Sequence, residues 1–219
     1  MVGELMDKHL YPIYIDMENK PCLVVGGGTV AERKVDSLLE HRAQVLLVSP
    51  QVTNSLETYA KNGLIIWENR IFKTNDLDNI FLVYIATNDN LVNQVIAEEC
   101  KARKILVNAV DDPPNCDFYV PAILRRGSLA MAISTEGKSP MLARHLRLQL
   151  EKQFTEAYGE YVDLLGESRD YIKNNISDIE IRQKIFLELV NSDILDLLKM
   201  GEREKARGRI EECISLWQD

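Results

Sequence analysis

Apolar positions alternate between two textures up to about residue 110. Short continuous runs at 21–25, 45–48, 64–67, 81–86 and 105–110 are rich in β-branched and aliphatic residues, the pattern of strands buried on both faces of a parallel sheet. A further short run at 12–15 also predicts a strand. Between the runs the spacing becomes helical. Residues 29–41 place Val30, Val35, Leu38 and Leu39 on one side, 52–61 ends at the stop signal Asn62-Gly63, and 90–102 forms a third helix. Alternation of this kind predicts a parallel sheet with helices on both faces and a ligand at the carboxyl ends of the strands.

The texture changes after Asp111-Asp112-Pro113-Pro114. Phe118–Leu124 and Leu129–Ser134, joined by a polar Arg-Arg-Gly-Ser stretch, predict a β-hairpin. Ser139-Pro140 is an N-cap followed by proline at the first helical position, and it opens an amphipathic pattern that runs from Met141 to about Leu165. Residues 178–217 continue as helices punctuated by Asn191-Ser192-Asp193 and Gly201. The expected architecture is α/β: a Rossmann-like domain over 1–112, a hairpin-and-helix segment over 113–150 and a helical domain over 151–219.

Composition narrows the function classes. The chain has 219 residues and a net charge of −8, which argues against a general affinity for nucleic acid. No apolar run approaches the roughly 18 residues of a membrane span, and the first residues are acidic where a signal peptide is basic. A cytoplasmic protein is expected. Cys22, Cys100, Cys116 and Cys213 form no Cys-x-x-Cys pair and, like His9, His41 and His145, have no metal-ligand spacing. Reduced thiols and no resident metal are therefore expected. The charge is unevenly spread: residues 121–152 carry six basic side chains against Glu136 and Glu151, a net of +4 in an otherwise acidic chain. Such an island suits a small polyanion, although solvated faces of accidental sign give the same count.

The candidate chemistry begins at Gly26-Gly27-Gly28-Thr29-Val30-Ala31. It follows a strand, opens a helix and leads to a second strand, the arrangement that sets a pyrophosphate on a helix N-terminus. An acid usually ends the second strand and binds the ribose. Here Ser49-Pro50-Gln51 stands instead, with no arginine for a 2′-phosphate, so neutral ribose contacts and NAD rather than NADP are expected. Thr87 and Asn88, at the end of the 81–86 strand, lie where a nicotinamide half is contacted, or simply begin the next helix. Asp111 follows the 105–110 strand: it is either a proton acceptor at the cofactor edge or a turn aspartate ahead of Pro113. Gly137-Lys138-Ser139 resembles the tail of a P-loop, but Ala132 stands where its first glycine belongs. His145 is the one histidine inside the basic island.

Several motifs agree together. Tyr11-Pro12-Ile13-Tyr14, the run from Cys22 to Lys34, Ala86–Asp89 with Val92-Asn93, Val107–Asp111, Phe118–Ala122, and Ser134–Pro140 with Ala143-Arg144 resemble the precorrin-2 dehydrogenase family in order and spacing. This is the dehydrogenase and ferrochelatase module of sirohaem synthase, which also occurs alone. The resemblance covers residues 10–150 and weakens over 165–219. It implies a homodimer that oxidises precorrin-2 to sirohydrochlorin with NAD as hydride acceptor. Some members also insert Fe²⁺, which makes iron a candidate second substrate. It further implies that Asp111 removes the proton, that Gly26 to Val30, Ser49 to Gln51, Thr87 and Asn88 hold the cofactor, and that Arg125, Arg126, Thr135, Lys138, Arg144 and His145 face the carboxylate-rich tetrapyrrole. Glu136 departs from the small residue usual in its loop. The alternative from another class is a non-catalytic NAD-sensing regulatory module.

Overall fold

The structure, a computed structural model, describes residues 9–110 and 112–217. The chain forms two compact units, 1–120 and 121–219.

The first unit is a five-stranded parallel sheet in the order β3-β2-β1-β4-β5. Its strands are β1 (Pro21–Val25), β2 (Gln44–Val48), β3 (Ile66–Glu68), β4 (Leu82–Ile85) and β5 (Leu106–Ala109). The helices between them are α1 (Thr29–Glu40), α2 (Asn54–Lys61) and α3 (Asn90–Arg103). Side chains of a strand alternate between faces, so β1 supplies two cores. Cys22 and Val24 pack with Val35 and Leu38 of α1 and Leu56 of α2, whereas Leu23 and Val25 pack with Ile96 and Cys100 of α3. The continuous apolar run at 21–25 is what burial on both faces requires. Strand order reverses between β1 and β4, and the glycine turn after β1 sits at that switch point.

The expected strand at 12–15 does not form. Both neighbours of β1 are already taken, by β2 and β4, and Tyr11, Ile13 and Tyr14 are exposed. The free side of β5 is lined instead by residues 116–118: Asn108 bridges Cys116, the Asp117 amide donates to the Val107 carbonyl (2.8 Å), and the Asn108 amide donates to the Phe118 carbonyl (2.9 Å). That use of 116–118 also corrects the hairpin, which starts later than expected, as β6 (Ala122–Arg126) and β7 (Leu129–Ile133).

The second unit holds this hairpin and five helices: α4 (Pro140–Gln153), α5 (Glu156–Asn175), α6 (Ile179–Asn191), α7 (Ile194–Lys199) and α8 (Arg203–Ser215). The single helix expected from Met141 to Leu165 is two. Thr155 adopts an extended conformation and starts α5, while the Arg126 guanidinium takes the Phe154 carbonyl (2.9 Å) and that of Glu151 (3.4 Å), satisfying the end of α4. Gly159 lets α5 approach the hairpin turn; a methyl there would stand 2.9 Å from the Arg126 carbonyl carbon. Helices α5–α8 share a core of Tyr161, Leu164, Ile172, Ile185, Leu189, Ile194, Leu198 and Ile210.

Candidate functional site

Three adjacent glycines open α1 and do different work. Gly26 has φ +120°, and a methyl on it would stand 2.2 Å from the Ala86 carbonyl oxygen. A methyl on Gly27 would stand 1.9 Å from the Gln51 carbonyl oxygen. These two let the turn lie against the ends of β4 and β2, where the Gly26 amide donates to Val48 and the Thr53 amide donates to Gly27, each at 3.0 Å. A methyl on Gly28 would meet nothing within 4 Å. Gly28 is also the N-cap of α1 and offers no capping side chain. The first amides of the helix are left for a ligand, in the space a side chain would occupy.

That space belongs to a cleft of about 820 Å³, within the range of ligand sites. It is lined by Val25–Val30, Val48–Pro50, Arg70–Thr74, Ala86–Asp89, Leu91, Val92 and Val95. The expected residues Gly26, Gly27, Gly28, Thr29, Val30, Ser49, Pro50, Thr87 and Asn88 are thus brought together. Gln51 is exposed and lies outside the lining. Its carbonyl instead accepts the Ser49 hydroxyl (2.7 Å), and the Ser49 carbonyl accepts from the Trp67 indole (3.0 Å), so Ser49 is buried and shapes the loop after β2. Thr53 caps α2 and donates its hydroxyl to Glu32 of α1, tying that loop to the glycine turn.

At the other end, Thr87 is fixed by Asn93. The Thr87 hydroxyl donates to the Asn93 side-chain oxygen (2.5 Å), and the Asn93 amide donates back to the Thr87 carbonyl (3.0 Å). Asp89 caps α3 by accepting from the Leu91 and Val92 amides. Beyond Thr87 and Asn88 lies a recess of about 540 Å³, which also includes Val30, Asn90, Asn93, Val110 and Asp112. Asp111 lies outside the described residues; its chain neighbours on both sides line this recess. The loop they belong to is stitched to β5. The Cys116 thiol donates to the Ala109 carbonyl (3.1 Å) and the Asp112 carbonyl (3.3 Å), and the Asn115 amide donates to the Asp112 carboxylate (2.7 Å).

The basic residues of the second unit divide into two groups. Arg125, Lys138, Arg144 and His145 are exposed, with Arg144 and His145 on α4. Arg126 is largely covered and spent on the carbonyls at the end of α4 and on Glu156 (3.1 Å). Arg147 pairs with Glu151 one turn on. Thr135 anchors a tight turn: its hydroxyl accepts from the Ser139 amide (3.0 Å) and its carbonyl from Lys138 (2.9 Å), while Glu136 and Gly137 both take positive φ. Ser139 caps α4 as expected, accepting from the Leu142 amide (3.3 Å).

Sequence reading missed Arg70–Thr74, which forms a wall of the cleft. The usable signal was positional: these residues follow β3, on the β2 side of the glycine turn. No helix among the described residues is long and apolar enough to cross a membrane.

Comparison with known proteins agrees with this geometry. A family described as "Putative NAD(P)-binding" matches residues 13–122, and one described as "Sirohaem biosynthesis protein central" matches 126–153. Siroheme synthase 1 of Serratia proteamaculans (strain 568) is 35% identical over 201 residues, 92% of this chain and 42% of that protein. Siroheme synthase of Blochmanniella floridana is 38% identical over 204 residues, 93% of this chain and 44% of that protein. The chain thus spans less than half the length of these relatives. Among solved structures, "SirC, precorrin-2 dehydrogenase" superposes with a TM-score of 0.76 at 28% identity, covering 93% of this chain and all of that one.

Proposed function

The chain belongs to this NAD(P)-binding family, and from that premise we propose that it is an NAD-dependent dehydrogenase that oxidises precorrin-2 to sirohydrochlorin in sirohaem biosynthesis. The observation that carries the proposal is the open cradle at Gly28, in a cleft that leads past Thr87 and Asn88 to a recess flanked by the neighbours of Asp111. The likeness to a solved precorrin-2 dehydrogenase supports the choice of substrate.

The residues present fit a dinucleotide. The uncapped amides of α1 suit its pyrophosphate, and the paired Thr87 and Asn93 hold the strand end against which its nicotinamide half would lie. The cofactor, when bound, supplies a hydride acceptor. NAD fits better than NADP because Arg70, the arginine in the cleft lining, is already neutralised by carboxylates of Asp76 and Glu68.

Oxidation removes one hydride and one proton from the substrate. A bound dinucleotide would supply the acceptor for the hydride, and Asp111 would take the proton. Arg125, Lys138, Arg144 and His145 attract the substrate's carboxylates, and Thr135 holds the loop that carries Lys138. Arg126 serves the hairpin and α4 rather than the substrate. We assign residues 1–112 to the cofactor, 113–150 to substrate and dimer contacts and 151–219 to a helical support. The homodimer is supported by Ile123, Met141, Leu142, Leu146 and Leu148, large apolar side chains exposed on β6 and α4. Fe²⁺ is a second substrate to be tested in the same assay.

The test is to mix the purified protein with NAD⁺ and precorrin-2 and follow the sirohydrochlorin spectrum with NADH formation. Asp111→Ala is expected to lower kcat at least a hundredfold while leaving NAD⁺ affinity intact. NAD⁺ binding without any tetrapyrrole turnover would move the chain to the regulatory class. Adding Fe²⁺ once sirohydrochlorin has accumulated reads out chelation as a rate above that without protein.

A further inference from the structure

The segment after β3 is unusually well fixed for a surface loop. Arg70 sets both terminal nitrogens on the Asp76 carboxylate (2.8 and 2.7 Å) and its Nε against Glu68 (3.3 Å). The Lys73 amide donates to the same Asp76 carboxylate (2.8 Å), which is itself buried. Phe72 packs on the sheet core next to buried Leu77. Between these anchors Ile71 stands 72% exposed, and it lines the cleft. A large aliphatic side chain held in water by a charged clamp, one residue from a core anchor, presents an apolar face that the unit itself does not cover.

Its place in the fold says what covers it. In an open sheet of this order the cofactor's adenosine half lies toward the second strand, because the ribose is met at the end of β2 and the pyrophosphate at the glycine turn. The β3 loop is the next wall outward in that direction, and the purine ring is the one part of a dinucleotide with an extended apolar face. We propose that Ile71 is the adenine platform of this cleft and that the Arg70–Asp76 clamp positions it. This rests on the cleft being a dinucleotide site, as proposed above. The clamp also decides what the wall does not do: with both edges of its guanidinium committed to carboxylates, Arg70 holds the platform and does not answer a 2′-phosphate.

The test compares wild type with Ile71→Ala and Ile71→Leu, titrating ADP-ribose and AMP by calorimetry and measuring the melting temperature of each protein. Ile71 is exposed, so both variants should melt as wild type does. Ile71→Ala should bind ADP-ribose and AMP about five- to tenfold more weakly, Ile71→Leu should recover most of that loss, and the loss should appear in the KM for NAD⁺. Unchanged affinity for both nucleotides in Ile71→Ala overturns the platform. Wild type that binds neither ADP-ribose nor NAD⁺ overturns the dinucleotide reading itself, before any variant is compared.

Discussion

An alanine methyl at position 26 would overlap the Ala86 carbonyl, one at 27 would overlap the Gln51 carbonyl, and one at 28 would stand in open space. The three substitutions therefore separate stability from binding. Gly26→Ala also forces a positive φ on a residue with a Cβ, and should destabilise the first unit by about 3 kcal/mol or more, as should Gly27→Ala. Gly28→Ala places a methyl at φ −82°, which alanine tolerates, and costs at most about 1 kcal/mol at a helix N-cap. It should nevertheless weaken NAD⁺ binding at least tenfold, since the methyl fills the cradle. Thermal unfolding and calorimetric titration of the three proteins check this together. The cysteines give a second prediction at this scale. All four are free and buried, and burial pushes the Cys22 and Cys100 thiols up to about 12. Native protein should react with a thiol reagent at pH 8 far more slowly than protein in denaturant, which should titrate four thiols.

Elements show where the sequence spoke clearly. Strands buried on both faces announced themselves as continuous apolar runs, and Ser139-Pro140 marked the start of α4 correctly, because both signals are local. The misses depended on distant partners. Residues 12–15 have strand-forming side chains, yet both sides of β1 were already occupied by strands far along the chain. The break after Gln153 has a local hint in Thr155-Glu156, but it is completed by Arg126, 28 residues earlier than Phe154. The same holds for the cleft. Its glycine turn was legible, whereas the wall at Arg70–Thr74 needs the buried Asp76 to close it. Asp76 also carries a pH prediction. Burial alone pushes its carboxyl up, but the Arg70 guanidinium and the Lys73 amide outweigh that and hold it below the usual carboxylate value. A carboxyl depressed in the folded state stabilises above its unfolded pKa, and that stability is lost as pH falls through the folded one. The stability this group gives the first unit should be present in full and constant between about pH 5 and 8, and should be lost as pH falls below about 4. Asp76→Asn should flatten that acid limb in melts recorded against pH.

For the whole molecule, an otherwise acidic chain turns net positive over residues 121–152, the stretch of the hairpin, the Thr135–Ser139 turn and α4. Arg144→Glu should therefore raise the KM for precorrin-2 about tenfold, more at low salt than at high, while calorimetry shows NAD⁺ affinity unmoved. A comparable loss for both ligands would sink the division of labour between the units. The sheet of the first unit ends in two blunt edges. Beside β5 runs the Cys116–Phe118 segment, and β3 is only three residues long. Neither edge offers a ladder long enough to recruit a strand from another molecule. A Rossmann-like sheet rich in valine and leucine is a natural seed for fibrillar stacking, and this one is lined at one margin by its own chain and cut short at the other. Self-association at high concentration should then proceed without growth of β-structure, visible as light scattering with no thioflavin response.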